Sequence, residues 1–136
     1  MTNRLQSGRI LTSLVLLSLW CQAGPISAEP EPAASSVSVV IDYNDGVQKH
    51  FSRVSWRSGM TVLDAMQAIA KHPRGIRFSH RGTGARALLV RIDDLENQPN
   101  GRNWLYRVNG KLADRSFGIR KIEKGDTVLW KHEKFQ

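Results

Sequence analysis

Only one stretch of the chain, Met60 to Lys71, repeats its apolar residues at helical spacing; most of the rest between Val37 and Glu133 alternates or breaks into short β-rich runs. Val62, Ala65, Met66, Ile69 and Ala70 recur at intervals of three and four, while Asp64, Gln67 and Lys71 lie off that stripe. Thr61 and Asp64 have the spacing of a capping box, with Asp in the usual place of Glu, and so open the helix. His72-Pro73-Arg74-Gly75 ends it, because proline disfavours helix in the residue before it and glycine supplies a turn. A chain with one amphipathic helix and many strands must lay that helix against a sheet, which makes the fold class α+β.

The strands are read by parity. Val37, Val39, Ile41 and Tyr43 alternate with Ser38, Val40 and Asp42, the period of a strand with one buried face. An Asn44-Asp45-Gly46 turn leads into a second arm over Val47 to Trp56, which makes a hairpin. Beyond the helix, short runs are expected at Ile76 to Ser79 and Leu88 to Ile92, separated by a Gly82-Thr83-Gly84 turn, and Asn97 to Gly101 reads as a polar loop. Asn109-Gly110 between Trp104-Val108 and Lys111-Leu112 marks a hairpin, since a type I′ turn needs two residues that accept positive φ. A Lys124-Gly125-Asp126 turn precedes a last strand from Thr127 to Glu133.

The N-terminus has a different character. Arg4 and Arg9 precede an uncharged run from Ile10 to Trp20, then small residues, then Glu29-Pro30-Glu31-Pro32, the three-part layout of a secretory signal peptide. The apolar run holds eleven residues, against about twenty for a bilayer-spanning helix. Residues 1–28 are therefore expected to be removed, by cleavage after Ala28 or, as second choice, after Ala23. Residues 29–36, rich in Pro, Ala, Ser and Glu, are expected to be a disordered tether, and 37–136 the single domain. The expected location is secreted or periplasmic, with no transmembrane segment after cleavage. Trp20 before Cys21 disfavours a lipid anchor there, since lipoprotein signals want a small residue at that place. Loss of the leader lowers the formal charge from +8 to +6 and removes Cys21, the sole cysteine. The basic balance favours anionic partners, and export makes genomic nucleic acid the least favoured of them.

Strand, strand, helix, then further strands is the order of a β-grasp, in which one helix crosses a mixed sheet. Four segments together resemble the family of exported domains similar to the C-terminal domain of transcobalamin and intrinsic factor: Val37 to Tyr43 with its Asp45-Gly46 turn, Met60 to Ala65, Asn103 to Lys111, and Lys124 to Trp130. The resemblance implies a β-grasp fold and a ligand-binding module, and with no catalytic motif in the sequence no enzymatic activity is expected. It makes cobalamin or another corrinoid the named candidate ligand, although the large helical domain that holds the corrin's other face in transcobalamins has no counterpart here. It assigns no ligand contact to a numbered residue.

Two groups of residues are candidate sites. Trp104 and Tyr106 share a strand face with Val108, as Trp130 does with Val128 and His132. These aromatics either fill the core beneath the helix or form a stacking surface for a planar organic ligand. The second group is basic: Arg74, Arg77, Arg81, Arg86 and Arg91 occur between Asp64 and Asp93 with no acidic residue intervening. Within it, Arg77, Arg81, Gly82, Gly84 and Arg86 form a candidate anion site, glycine letting the backbone approach and arginine forks matching carboxylate or phosphate. Such a basic surface suits either a small anionic ligand or a partner protein or envelope polymer. His50, His72, His80 and His132 include no His-x-x-x-His pair, so no metal site is expected. No serine sits in a nucleophile elbow and no catalytic residue is assigned. Asp93-Asp94 is expected to solvate or cap a loop.

Overall fold

The computed structural model describes residues 35–136. The leader, Cys21 and all of the tether but Ser35 and Ser36 lie outside the described residues. Strand β1 (Ser36–Asp42) buries Val37, Val39 and Ile41 on one face, as its alternation requires. It starts inside the expected tether, because the Trp56 amide donates to the Ser35 carbonyl (2.8 Å) and carries the hairpin to that point. The return strand β2 (Gln48–Ser55) is antiparallel to β1 and bulges where Ser52 and Arg53 together face Ser38.

Helix α1 (Val62–Ala70) opens with the expected capping box: the Thr61 hydroxyl accepts from the Asp64 amide (3.2 Å) and the Asp64 carboxylate from the Thr61 amide (2.8 Å). Val62, Ala65, Met66 and Ile69 are buried. Ala70, expected on the same stripe, is exposed, since the helix has ended its contact with the sheet by its last residue.

The remaining strands form two groups. β3 (Phe78–Arg81), β4 (Leu88–Ile92) and β5 (Leu95–Glu96) make a small antiparallel sheet of their own. β6 (Asn103–Val108), β7 (Lys111–Leu112) and β8 (Thr127–Glu133) join the hairpin in a mixed five-stranded sheet ordered β2-β1-β8-β6-β7. A single mixed sheet was the expectation. Tight turns at Gly82 and Gly84, both at positive φ, and at Asp93 (φ 49°) fold β3, β4 and β5 onto one another, and the loop that leads from β5 into β6 separates them from the large sheet. β3 also begins two residues later than expected.

β8 lies parallel to β1 and antiparallel to β6. The crossover between the parallel neighbours contains α1 and the small sheet, both stacked on the same face of the large one. The core fills that space, from Val39, Ile41 and Val128 on the sheet to Met66 and Ile69 on the helix and Leu89 and Ile92 on β4. Among the described residues no helix is long and apolar enough to cross a membrane.

Candidate functional site

β6 and β8 bring the sequence-predicted aromatics into direct opposition: Trp104 faces His132, Tyr106 faces Trp130 and Val108 faces Val128. Tyr106 and Trp130 lie with ring centroids 4.9 Å apart, and Phe117 meets Trp130 edge-on at 5.4 Å. Trp104 is 5% exposed, Tyr106 7% and Trp130 2%, so these rings belong to the core. Their outer edges also floor a cleft of ≈ 450 Å³. Of the two readings the sequence posed, the core is what the burial shows, and the rings border a surface hollow as well.

One wall of the cleft is the short 3-10 turn Gly84–Arg86 together with Leu88 and Leu89; the other is the strap from Leu112 to Phe117. Ser116 fastens the walls, its hydroxyl lying 2.9 Å from the Gly84 carbonyl and 2.6 Å from that of Ala87. Gly118 lets them close, because a Cβ there would stand 2.5 Å from the Gly84 oxygen. The Tyr106 hydroxyl donates to the Arg115 carbonyl (2.6 Å), and burial pushes its pKa up to about 12. The Trp104 indole donates to the Leu95 carbonyl (2.9 Å). Trp130 differs: its indole N–H is buried and finds no acceptor among the described residues. An unmatched buried donor costs about 1–3 kcal/mol unless something accepts from it.

The rim is apolar. Leu88, Leu112 and Phe135, exposed by 47%, 39% and 71%, all line this cleft, and they are three of the five large hydrophobic side chains exposed among the described residues. Arg86 adds a cation to one wall, while Arg115 on the other is paired with Asp114 (3.0 Å). The strap had no local sequence signal, and Ser116 and Phe117 emerge as site residues only in three dimensions.

The five-residue anion site does not assemble. Arg81, Gly82, Gly84 and Arg86 share one turn, but Arg77 stands just before the other end of β3, where its guanidinium meets Asp94 (3.7 Å). Gly82 is required by the turn itself: it sits at φ +72°, and a Cβ would collide with the Arg86 carbonyl. Its conformational demand thus has a reason independent of any bound anion.

Asp93 is a partly buried hub and not the loop cap expected of it. Its carboxylate accepts from the Tyr43 hydroxyl, from Lys49 (3.0 Å) and from the Arg77 amide (2.9 Å). Burial alone would raise its pKa, but those three donors, the Arg77 amide foremost, outweigh it and hold the carboxyl below the ordinary range. Burial, reinforced by the bond to Asp93, pushes the Tyr43 phenol well above its usual value. The hub ties the β1–β2 hairpin to the small sheet.

Among the described residues no three His, Cys, Asp or Glu side chains gather as metal ligands would. His132 is buried instead against Trp104, ring centroids 5.0 Å apart, with Nε2 3.1 Å from the Glu96 carbonyl.

No curated protein matches the chain. Among solved structures it is similar to a protein of Ruminococcus gnavus ATCC 29149 to which metal binding is ascribed. The two superimpose with a TM-score of 0.57 over 73% of this chain and 97% of that one, at 10% identity, a likeness of fold alone. Residues 59–134, which contain α1 and every wall of the cleft but Phe135, match the family described as Domain of unknown function (DUF4430). The chain therefore belongs to that family.

Proposed function

We propose that this chain is an exported, non-enzymatic β-grasp module that holds a small, largely apolar organic ligand in the cleft above Trp104, Tyr106 and Trp130. The observation that carries the reading is the gathering of Leu88, Leu112 and Phe135 around one aromatic-floored hollow. Exposed apolar side chains scattered singly need no explanation, but a cluster on a concave surface does. At ≈ 450 Å³ the cleft lies within the range of small-molecule sites. Arg86 on the wall favours an anionic group on that ligand.

The sequence resemblance to transcobalamin C-terminal domains at Val37 to Tyr43, Met60 to Ala65, Asn103 to Lys111 and Lys124 to Trp130 favours a β-grasp and makes cobalamin or another corrinoid a candidate ligand. The described residues offer no cluster of donors to which the metal binding ascribed to the Ruminococcus gnavus protein could be transferred. Docking on a partner protein or envelope polymer through a basic surface is the second reading, favoured by a groove beside β2.

Thermal-shift and tryptophan-fluorescence titrations with cyanocobalamin, cobinamide, haem, nucleotides and anionic glycans test the cleft. A true ligand at a hundredfold excess over its dissociation constant should stabilise the fold by about 2.7 kcal/mol. Leu88→Ser combined with Phe135→Ser should abolish that shift while leaving the unliganded melting point nearly unchanged. If no compound moves the melting point, or the double variant responds like the parent, the cleft is not a ligand site. For export, the protein recovered from the periplasm or medium of an expressing bacterium should begin at Glu29 by intact mass, without added lipid.

A further inference from the structure

We infer that the outer edge of β2 is a second site, which takes up an extended acidic peptide as an added strand. Among the described residues the sheet order leaves β2 at an edge with β1 as its one partner. The Val47 carbonyl accepts from the Tyr43 amide (3.1 Å), so by the alternation of antiparallel pairing Lys49 and Phe51 turn their peptide groups toward β1. Gln48 and His50 turn theirs outward, where an incoming strand could pair with them. Beside this edge runs a groove of ≈ 830 Å³ between β2 and the C-terminal half of α1.

The groove commits its occupant by charge. Phe51 and Ile69 supply an apolar floor for alternate side chains, while His50, Arg53, His72 and Arg74 stand around it, and among the described residues no acidic side chain lines it. Lys49, also in the groove, is neutralised by Asp93; Arg53 and Arg74 have no ion-pair partner among the described residues. Edge strands commonly carry cations and bulges that stop them pairing with copies of themselves. Here both devices are present, at Arg53 and at the Ser52-Arg53 bulge. A second copy of this edge would oppose like charges, whereas an acidic strand would find complementary ones. The edge lies outside the matched residues 59–134 and on other residues than the aromatic cleft, so it stands apart from the ligand proposal.

Fluorescence anisotropy on the full chain tests this, using a short labelled peptide of alternating Glu and Val. Expected are saturable binding that weakens with salt, no binding of the Lys-Val counterpart, and slowed hydrogen exchange at the Gln48 and His50 amides. Methylating the peptide's amides at alternate residues, in each of the two registers, should abolish binding in one register only. Arg53→Glu with Arg74→Glu should weaken the acidic peptide about tenfold or more, since each lost cation becomes a repulsion. His50→Pro should do the same with little loss of stability, because the N–H it removes points away from β1. The inference is overturned if both methylated peptides bind like the parent, if polyphosphate competes as well as the peptide does, if protection falls on the cleft strap instead, or if the acidic peptide does not bind.

Discussion

Three donors converge on the Asp93 carboxylate, and together with Tyr43 it makes the fold sensitive to pH on both sides. Its carboxyl titrates lower in the folded chain than in the unfolded one, so its contribution is present above the ordinary value of 3.8 and is lost as pH falls through the folded value. Tyr43 has the opposite sign: its raised phenol contributes below pH 10.0 and that stability is lost progressively above it. Urea denaturation should therefore show stability falling below about pH 4 and above about pH 10, with Tyr43→Phe removing much of the alkaline limb. Asp93→Asn keeps a residue that tolerates the left-handed backbone here (φ 49°) yet loses the charge, and should cost about 2 kcal/mol. The sequence showed an Asp-Asp pair before a polar loop and could show no more, because Tyr43, Lys49 and Arg77 reach Asp93 from 16 to 50 residues away.

At the scale of elements, local signals were strong wherever the cause was local. The Thr61–Asp64 cap, the Asn109-Gly110 turn with both residues at positive φ, and the bounds of β4 and β8 all follow from residues a few positions apart. Thr61→Ala should cost about 1 kcal/mol and fray the first turn of α1, measurable as faster amide exchange at Asp64. The strap over the cleft is another matter. It has no regular structure for much of its length, and what holds it is the approach of Gly118 and Ser116 to a turn some thirty residues earlier. Gly118→Ala must push the strap off that turn, costing about 1–3 kcal/mol. The same variant should widen the cleft, so ligand affinity should fall along with the melting point. Parity placed Trp104, Tyr106 and Trp130 on common faces, but only the strap turns that face into a hollow.

For the whole molecule, one helix among many strands was enough to indicate an α+β fold, and one strand alternation after another placed the core. The division into two sheets was not legible, because a short strand's choice of partner depends on which neighbours are within reach and not on its own pattern. The same limit applied to the basic stretch: its arginines are close in sequence, yet Arg77 and Arg86 are set apart by the length of β3 and a reversing turn. The pairing of β1 with β8 has a kinetic consequence. Val39 and Ile41 can meet Val128 and Trp130 only after a chain of nearly ninety residues has closed upon itself. Folding should thus be slow for a domain of this size, and a chain cut before Thr127 should show no cooperative unfolding at all, because its central seam would be missing. Until β8 arrives the hairpin and β6 are separate pieces, so the large sheet has no continuous ladder before its last strand is in place.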